Sequence, residues 1–534
     1  MDYSSVKNSL LLFSCSFIFN FCADGQITFF KVYGGIDTDG GQSAIQTSDG
    51  GYLTVGYTAT YTNGNLDIYI IKTNLYGDTL WTRTYGGYGD QEGYWVTETR
   101  DGNYIIAGVS YNTMGPSVDP MLVKINTNGD TLWTRVYGGG GNYQQGNSVQ
   151  ETYDGGFMMV GYTIAFSSGD KDVYLIRTDS AGNLLSTKTF GGPGLDQGVS
   201  IQPTFDGGFI VGGSTTSFDG GNQDYYLIKT DMYGDTLWTK IVQYGSGGST
   251  VQTRDSGFII AGSIYGIGAG SDDAYVIKVN ANGLVEWNKT FGTTDALADQ
   301  AALSVRQTND GGFIIVGYTA SYIPGDADVY LIKTDENGDT LWTRTIGVDT
   351  YHDWAFSVEQ TSDSGFIIGG RTAVFFGSFD TFLIKTDKEG HVGCHEKNFQ
   401  TVITTPSTHQ TLNTTTIQSS GGAANYPLFY KGHGAMVYTG CSSVNVPEDE
   451  SYSALFSISP NPANSAFTIT TTTQLQNAQL EIFNLLGEKI YSAALNSKQQ
   501  TINCEYFPKG IYFVKLQSDP EGLGGSAMQK LVVQ

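Results

Sequence analysis

The stretch Asp328–Gly347, DVYLIKTDENGDTLWTRTIG, decides how the rest of the chain is read. It opens with a run rich in Val, Tyr, Leu and Ile, turns through Asp335-Glu336-Asn337-Gly338-Asp339, and resumes in a second run that carries Trp342. Two β-prone runs divided by Asn-Gly are the signature of an antiparallel hairpin. Near-copies place Trp81, Trp133, Trp238 and Trp287 in the slot of Trp342, and weaker ones place Phe29, Ser186 and Cys394 there, at intervals of 49 to 55 residues. A period of that length means a repeat architecture, in which one supersecondary unit stacks against its own copies.

Outward from that hairpin, Leu303 to Ile346 reads as four short strands: LSVRQT, the turn NDGG, FIIVGYT, a polar loop, DVYLIKT, the turn DENGD and TLWTRTI. Such a sheet cannot bury both of its faces alone, so copies must stack, and about fifty residues per four-stranded unit is the spacing of a propeller blade. Sets of the first three strands begin near Ser43, Tyr94, Ser148, Ser200, Thr250, Ser304 and Ser357; fourth strands lie near Phe29, Trp81, Trp133, Ser186, Trp238, Trp287 and Trp342. The two series are out of step: Ile27–Gly35 has no unit in front of it, and the set ending at Lys385 has no clear outer strand behind it. The prediction is an all-β fold, a seven-bladed β-propeller of four-stranded blades over residues 26–397, its last blade completed by the N-terminal strand. The segment after Gly393, CHEKNFQTV, competes for that place.

The 534 residues leave room for more than one domain. Seventy-one glycines and 13% aromatic residues suit an all-β chain with many tight turns. Acidic residues outnumber basic ones by 52 to 28, a formal net charge of −24, which repels nucleic acid and anionic lipid and sets both aside as partners. Residues 1–25 combine Lys7, the apolar run LLLFSCSFIF and small residues at Ala23 and Gly25, the pattern of a secretory signal peptide. Lipidation at Cys22 is the competing reading, and the preceding FNF lacks the small residues it needs. No later stretch approaches the ~20 apolar residues of a transmembrane helix. Without the signal the chain retains Cys394, Cys441 and Cys504. Cys394 and Cys441 flank a Thr/Ser-rich segment and are the expected disulfide in an oxidising compartment; two unpaired thiols are the alternative.

Over residues 398–449 the repeat vanishes into TVITTPSTHQTLNTTTIQSSGG and its surroundings, read as a linker whose residual alternation would also suit strands laid against the propeller. Residues 450–534 follow a different grammar: short strands in SISPNPANSAFTIT, LEIFNLLGEKIY, FPKGIYFVKL and QKLVVQ predict a small Ig-like β-sandwich. This segment resembles the type A C-terminal sorting domain of the type IX secretion system of Bacteroidetes. The resemblance is carried by Pro460-Asn461-Pro462, by Ile482-Phe483-Asn484 to Gly487, by Pro508 to Tyr512, and by the terminal Lys530-Leu531-Val532-Val533-Gln534. It implies passage through the inner membrane by the general pathway and outer-membrane export by the type IX machinery. It also implies removal of the tail by a sortase-like peptidase, then release or attachment to surface lipopolysaccharide. SDPEGLGGSAMQ before the last strand is longer than the family's usual turn. The repeats are similar to those of large secreted Bacteroidetes proteins, some grouped with endoglucanase-like families. KTDENGDTLW resembles the repeat of quinoprotein-type propellers, whose tryptophan packs between blades; the quinone ligands have no counterpart, so no cofactor is implied.

The most repeated charges are Asp67, Asp119, Asp172, Asp224, Asp273, Asp328 and Asp380 at the start of the third strand, with Lys72, Lys124, Arg177, Lys229, Lys278, Lys333 and Lys385 five residues on. A unique active site would break the repeat, so these read as strand-entry and turn hydrogen bonding by Asp and solvated cations on the blade face. The turns Asp335–Asp339 and Asn126–Asp130 have an Asp/Asn alternation like a calcium loop but lack its distal Glu, and read as hairpins with a left-handed glycine; no metal is expected. Asp78-Thr79-Leu80, Asp130-Thr131-Leu132 and Asp179-Ser180-Ala181 also resemble the O-glycosylation sequon of Bacteroidetes.

Each loop between the second and third strands carries one aromatic: Tyr61, Tyr111, Phe166, Phe218, Tyr265, Tyr322 and Phe375. Loops between units add Asp39, Asp90, Glu92, Asp196, Asp299 and Asp353, with His352 and Trp354 beside the last. Rings with acidic hydrogen-bonding groups suit stacking on sugar faces and capture of hydroxyls; the bland alternative is that each ring plugs the end of its own blade. Glycoside hydrolysis needs two carboxylates at a fixed separation, and no pair is singled out. The sequence has no nucleophile elbow with a triad, no HExxH and no zinc-spaced Cys/His set, and five histidines leave little material for acid/base work. His352 and Asp353 read as a loop hydrogen bond. The expected function is a secreted or surface propeller that binds glycan or protein without catalysis. The alternatives are an endoglucanase-like hydrolase using loop carboxylates and a purely structural surface role.

Overall fold

The computed structural model describes residues 26–442 and 456–533 except for short stretches such as 63–64, 112–116, 321–326, 374–377, 425–429 and 518–525. The signal-peptide reading of residues 1–25, with Cys22, lies outside the described residues. Among those described, the chain is all-β: nine antiparallel sheets, with one short 3-10 turn at Asp219–Gly221 and no α-helix. No helix among them is long and apolar enough to cross a membrane.

Seven sheets repeat one plan. In the sixth, Gln300–Gln307, Phe313–Thr319, Asp328–Thr334 and Thr340–Ile346 pair in chain order. Asp328–Thr334 is buried at every position, as a strand covered on both faces must be, while Thr340–Ile346 is only partly covered. The seventh sheet has three strands of this order and takes Phe29–Gly34, from the start of the chain, beside Asp380–Thr386.

Three devices recur between neighbouring sheets. A first-strand serine hydroxyl accepts a backbone N–H from the next first strand: Ser148 from Ile201, Ser200 from Thr250 and Ser249 from Val305, at 3.0–3.4 Å. A Glu or Gln at the end of a first strand accepts an N–H from the preceding sheet's turn, as Glu98 does from Ser48 and Gln360 from Asn309. An outer-strand tryptophan packs on a left-handed glycine in the following sheet's hairpin, Trp81 on Gly129 and Trp287 on Gly338. The seventh sheet uses all three toward the first: Ser357 accepts from Ala44 at 2.9 Å, Gln46 accepts from Ser362 at 2.8 Å, and Phe29 lies on Gly77.

The basic residues of the third strand are not solvated, contrary to the sequence reading. Lys72, Lys124, Arg177, Lys229, Lys278, Lys333 and Lys385 lie with their stems in the sheet stack and meet Asp49, Asp101, Asp154, Asp206, Asp255, Asp310 and Asp363 at 2.5–2.9 Å. Each acid belongs to the turn between the first two strands of the same sheet, so a long amphipathic side chain carries its charge from the buried strand to the turn.

The segment read as a linker takes the alternative left open for it, strands laid against the repeated sheets. Glu396–Lys397 pairs with the outer strand of the sixth sheet, Val402–Thr404 with the fifth, Thr411–Asn413 with the fourth, Ile417–Ser419 with the third, Ala423–Ala424 with the second and Tyr430–Gly432 with the first. Met436–Ser442 ends the series on Phe29–Gly34 of the seventh. Each sheet therefore has five strands rather than four, and the chain visits them as a belt in reverse order. Outer strands present unpaired N–H and C=O groups, and the belt satisfies them. In CHEKNFQTV, which competed for the seventh sheet, Glu396–Lys397 pairs with the sixth and Val402 with the fifth.

In the C-terminal segment, Phe456–Ser459, Ala466–Thr471 and Gln499–Asn503 form one sheet, and Lys489–Leu495, Ala478–Asn484, Gly510–Gln517 and Ser526–Val533 another. They face each other across one apolar core containing Phe467, Ile469, Leu480, Ile482, Val514 and Leu531, in which Cys504 is also buried.

Candidate binding site

The loop aromatics divide. Tyr61 donates its hydroxyl to Gly34 O at 2.5 Å and lies 5.7 Å from the Tyr69 ring; Phe166 sits 6.0 Å from Tyr174, and Phe218 6.0 Å from Tyr226. These three close the ends of their own sheets, the bland alternative. Tyr265 is 80% exposed and Tyr111 is half-buried. Tyr322 and Phe375 lie outside the described residues.

Asp353 is fully buried and accepts the Val348 N–H at 2.8 Å, as Asp196 accepts that of Gly192 at 2.8 Å. Beside it stands the aspartate of the third strand. A Cβ added to Gly347 would come 1.9 Å from Asp328 Oδ1 and 2.9 Å from Asp353 Oδ2; one on Gly34 would meet Asp380 Oδ1 at 1.8 Å and Asp39 Oδ2 at 3.0 Å. Only glycine fits over these carboxylates. Burial, with the neighbouring Asp39 charge second, pushes the Asp380 carboxyl up to about 7, and burial with Asp90 pushes Asp67 up to about 6. These aspartates hold the sheet ends together and are withdrawn from solvent.

One level of the sheets varies in both of its paired strands. Just before it, the first two strands pair Asp or Gln with Thr or Ser: Asp39–Thr58, Gln91–Ser110, Gln144–Thr163, Asp196–Thr215, Gln300–Thr319 and Asp353–Thr372. Just after it, all seven sheets pair Gly or Ala with Gly, as in Gly41–Gly56 and Ala355–Gly370. Between them the pairs are Gly40–Tyr57, Glu92–Val109, Gln145–Tyr162, Gln197–Ser214, Ser246–Ser263, Ala301–Tyr318 and Trp354–Arg371. A bulge follows in each first strand, and the residues inserted there, among them Tyr94, Asn147 and Phe356, also differ from copy to copy. Bulges re-aim side chains.

These residues meet across sheets. Arg371 of the seventh donates from Nη1 to the Tyr57 hydroxyl of the first at 2.8 Å, and its guanidinium lies 4.5 Å from the Trp354 ring, 4.6 Å from Phe379 and 5.3 Å from Phe356. Trp354 in turn touches Tyr318 of the sixth sheet at 6.1 Å and His352 at 5.7 Å. In the second sheet Tyr94 donates to Glu92 Oε2 at 3.0 Å; in the third, the Lys171 ammonium sits 4.2 Å from the Tyr162 ring centroid. The fourth and fifth sheets contribute only short polar groups, Gln197 bonded to Ser214 and Ser246 to Ser263, each at 3.1 Å. The first, second, third, sixth and seventh sheets thus contribute aromatic and charged groups at this level, and the fourth and fifth small polar ones. Burial raises the Glu92 carboxyl, opposed by the Tyr94 hydrogen bond and by the Arg371 charge; burial and Glu92 push Tyr111 up to about 12. Glu92 is the only carboxylate among the fourteen variable positions, so the two-carboxylate arrangement of a glycosidase is not assembled from them. Among the described residues no group of three acidic, His or Cys side chains is placed to hold a metal. The arrangement can stack on a ring and hydrogen-bond a polar ligand.

Glu92 and Trp354 stood among the candidate residues between units, whereas Arg371, Tyr57 and Tyr162 did not, and all five occupy positions where copies disagree. Aligning the repeats and scoring variation would have found them.

The secretion system C-terminal sorting domain family matches residues 457–534. This tail interacts with the type IX secretion machinery and marks a protein exported to the cell surface or secreted. No curated protein matches the chain. Among solved structures, the chain is similar to the extracellular domain of a candidate hybrid two-component system from B. thetaiotaomicron, with 12% identity and a TM-score of 0.37, covering 93% of this chain and 57% of that one. The chain thus spans little more than half the length of that structure. It is also similar to PorZ, a surface component of the type IX secretion system of Porphyromonas gingivalis, with 9% identity and a TM-score of 0.18, covering 95% of this chain and all of that one. Neither likeness carries the reading further.

Proposed function

We propose that the seven repeated sheets are the blades of a seven-bladed β-propeller, belted by residues 396–442, and that it serves outside the cell as a non-enzymatic module binding glycan or protein. The recurrence of the same three contacts between the seventh sheet and the first supports the ring. The observation that carries the binding reading is a level that varies in both of its strands between two nearly constant ones, where rings, a guanidinium and hydroxyls converge. A structural role would repeat; a recognition surface has no reason to. Residues 1–25 serve as the signal peptide, residues 450–534 as a small Ig-like export domain removed by a sortase-like peptidase, and Cys394, which is disulfide-bonded, pairs with Cys441. The test is to screen the secreted protein on glycan arrays and against soluble polysaccharides. Binding lost in Trp354→Ala, with no new reducing ends, supports the module; new reducing ends support the endoglucanase-like alternative; neither leaves a structural role.

A further inference from the structure

The cations of the third strands are met by acids, as the seven turn pairs show. Arg371, a partly buried cation of the variable level, forms no such pair. Its equivalents are Tyr57, Val109, Tyr162, Ser214, Ser263 and Tyr318, so nothing in the repeat calls for a charge there. Among the described residues no carboxylate reaches ion-pair distance; its one hydrogen bond goes to the neutral Tyr57, and its Nε, closed off from solvent, has no acceptor. The indole N–H of Trp354, against which the guanidinium stacks, is equally closed off and without an acceptor. A guanidinium held by surrounding rings is fixed in orientation, and its donor fork matches a planar two-oxygen acceptor. A partly buried guanidinium whose Nε has no acceptor, and whose nearest acid influence is the more distant Glu92 charge, gains from a partner that supplies acceptor oxygens.

We infer that the site takes an acidic oligosaccharide, a uronate-containing chain whose carboxylate seats on Arg371, which deepens and rests on the binding reading above. The apolar face of the sugar ring stacks on the aromatic wall around Trp354 and Tyr318, and the hydroxyls face the polar wall of Gln197, Ser214, Ser246 and Ser263. A peptide carboxylate would satisfy the same guanidinium, but the small polar groups of the fourth and fifth sheets favour a polyol.

The test is calorimetric titration of the full secreted chain with oligosaccharides of galacturonate, glucuronate and mannuronate, each beside its carboxyl-reduced neutral counterpart, and with a peptide bearing a free C-terminal carboxylate. One acidic sugar should bind roughly ten- to a hundredfold tighter than its neutral counterpart, the scale of a charge-assisted hydrogen bond. Arg371→Met should abolish that ratio, and Arg371→Lys, which keeps the charge without the planar fork, should retain part of it. Equal binding of acidic and neutral sugars, or a ratio that survives Arg371→Met, overturns the inference while leaving the binding reading standing. Arg371-dependent binding of the peptide alone overturns the assignment to sugar. No binding by any probe overturns the inference, and the array screen then judges the binding reading separately.

Discussion

With Cys394 bonded to Cys441 as proposed, replacing both by serine should unpin a belt whose individual attachments are slight. Ala423–Ala424 and Glu396–Lys397 contribute two register pairs each, and only Met436–Ser442 pairs along a longer run. Side chains add a few contacts near the start, where the Thr401 hydroxyl meets that of Tyr330 at 2.6 Å and Thr404 meets Thr290 at 2.5 Å. Cys394 lies at the belt's beginning beside His395, whose ring is 5.6 Å from that of Phe30, and Phe30 is the register partner of Cys441 at the belt's end. A bridge there closes a loop of roughly fifty residues, which loop-closure entropy values at on the order of 4 kcal/mol. The seven sheets have buried clusters of their own that owe nothing to the belt. The loss should therefore fall on the belt. Hydrogen exchange read by mass spectrometry should show peptides within 396–442 losing protection by up to about a thousandfold in the double variant. Peptides over Asp328–Thr334 should exchange unchanged, while Thr340–Ile346, whose outer partner leaves, should exchange faster. Unchanged protection across 396–442, or peptide mapping that joins Cys394 to another cysteine, would refute the reasoning.

Asp310→Ala leaves the buried Lys333 ammonium without its acid and should lower stability by about 1.5–3 kcal/mol, more than Lys333→Met, which removes the charge and keeps the stem; urea denaturation of the two variants ranks them. Gly338 and Gly102 share a positive φ, 77° and 76°, but a Cβ at Gly338 would lie 2.7 Å from the Trp287 ring while one at Gly102 meets nothing within 4 Å. Ala at Gly102 should cost about 1 kcal/mol of backbone strain and Ala at Gly338 about 2–3, the difference measuring how tightly the tryptophan seats. Because the Asp380 and Asp67 carboxyls titrate near 7 and 6 when folded and near 3.8 when unfolded, the folded state binds more protons in between. Their contribution is thus fully present below about pH 4 and is lost as pH rises toward 7. Thermal melts should show a flatter pH dependence over that window in Asp380→Asn than in the unaltered protein.

The strands were legible because hairpin chemistry repeats: Asn-Gly at Asn337-Gly338 fixes a turn whichever sheet it sits in, and seven copies average out local noise. The belt was not legible for the opposite reason. Its contacts are two to seven residues long, differ in sequence, and depend on edges formed at separations that grow along the belt, from Glu396 on Ile346 to Met436–Ser442 on Phe29–Gly34. The buried lysines were misread because a charged residue in every copy looks like a solvated face until the turn acid that meets it, such as Asp363 for Lys385, is placed in space. Recurrence alone could not separate capping from recognition among the loop aromatics, of which Tyr61, Phe166 and Phe218 meet rings of their own sheets. Tyr61 is repeated because it caps its sheet and holds Gly34 O.

Two nearly constant levels enclosing one that varies in both strands imply that the framework tolerates exchange at that level, and this is measurable. Trp354→Ala with Arg371→Tyr gives the seventh sheet the Ala301–Tyr318 pair of the sixth, flanked as there by an Asp/Gln–Thr pair on one side and Ala–Gly on the other. Truncating a buried tryptophan costs about 3–5 kcal/mol where the core must close around the cavity. Trp354 is only partly buried, and the sixth sheet already stands with the smaller pair, so the loss should stay near 1–2 kcal/mol by chemical denaturation while ligand binding disappears. A loss above 4 kcal/mol would mean that this level holds the sheets together rather than reading a ligand, and the variability would then need another cause.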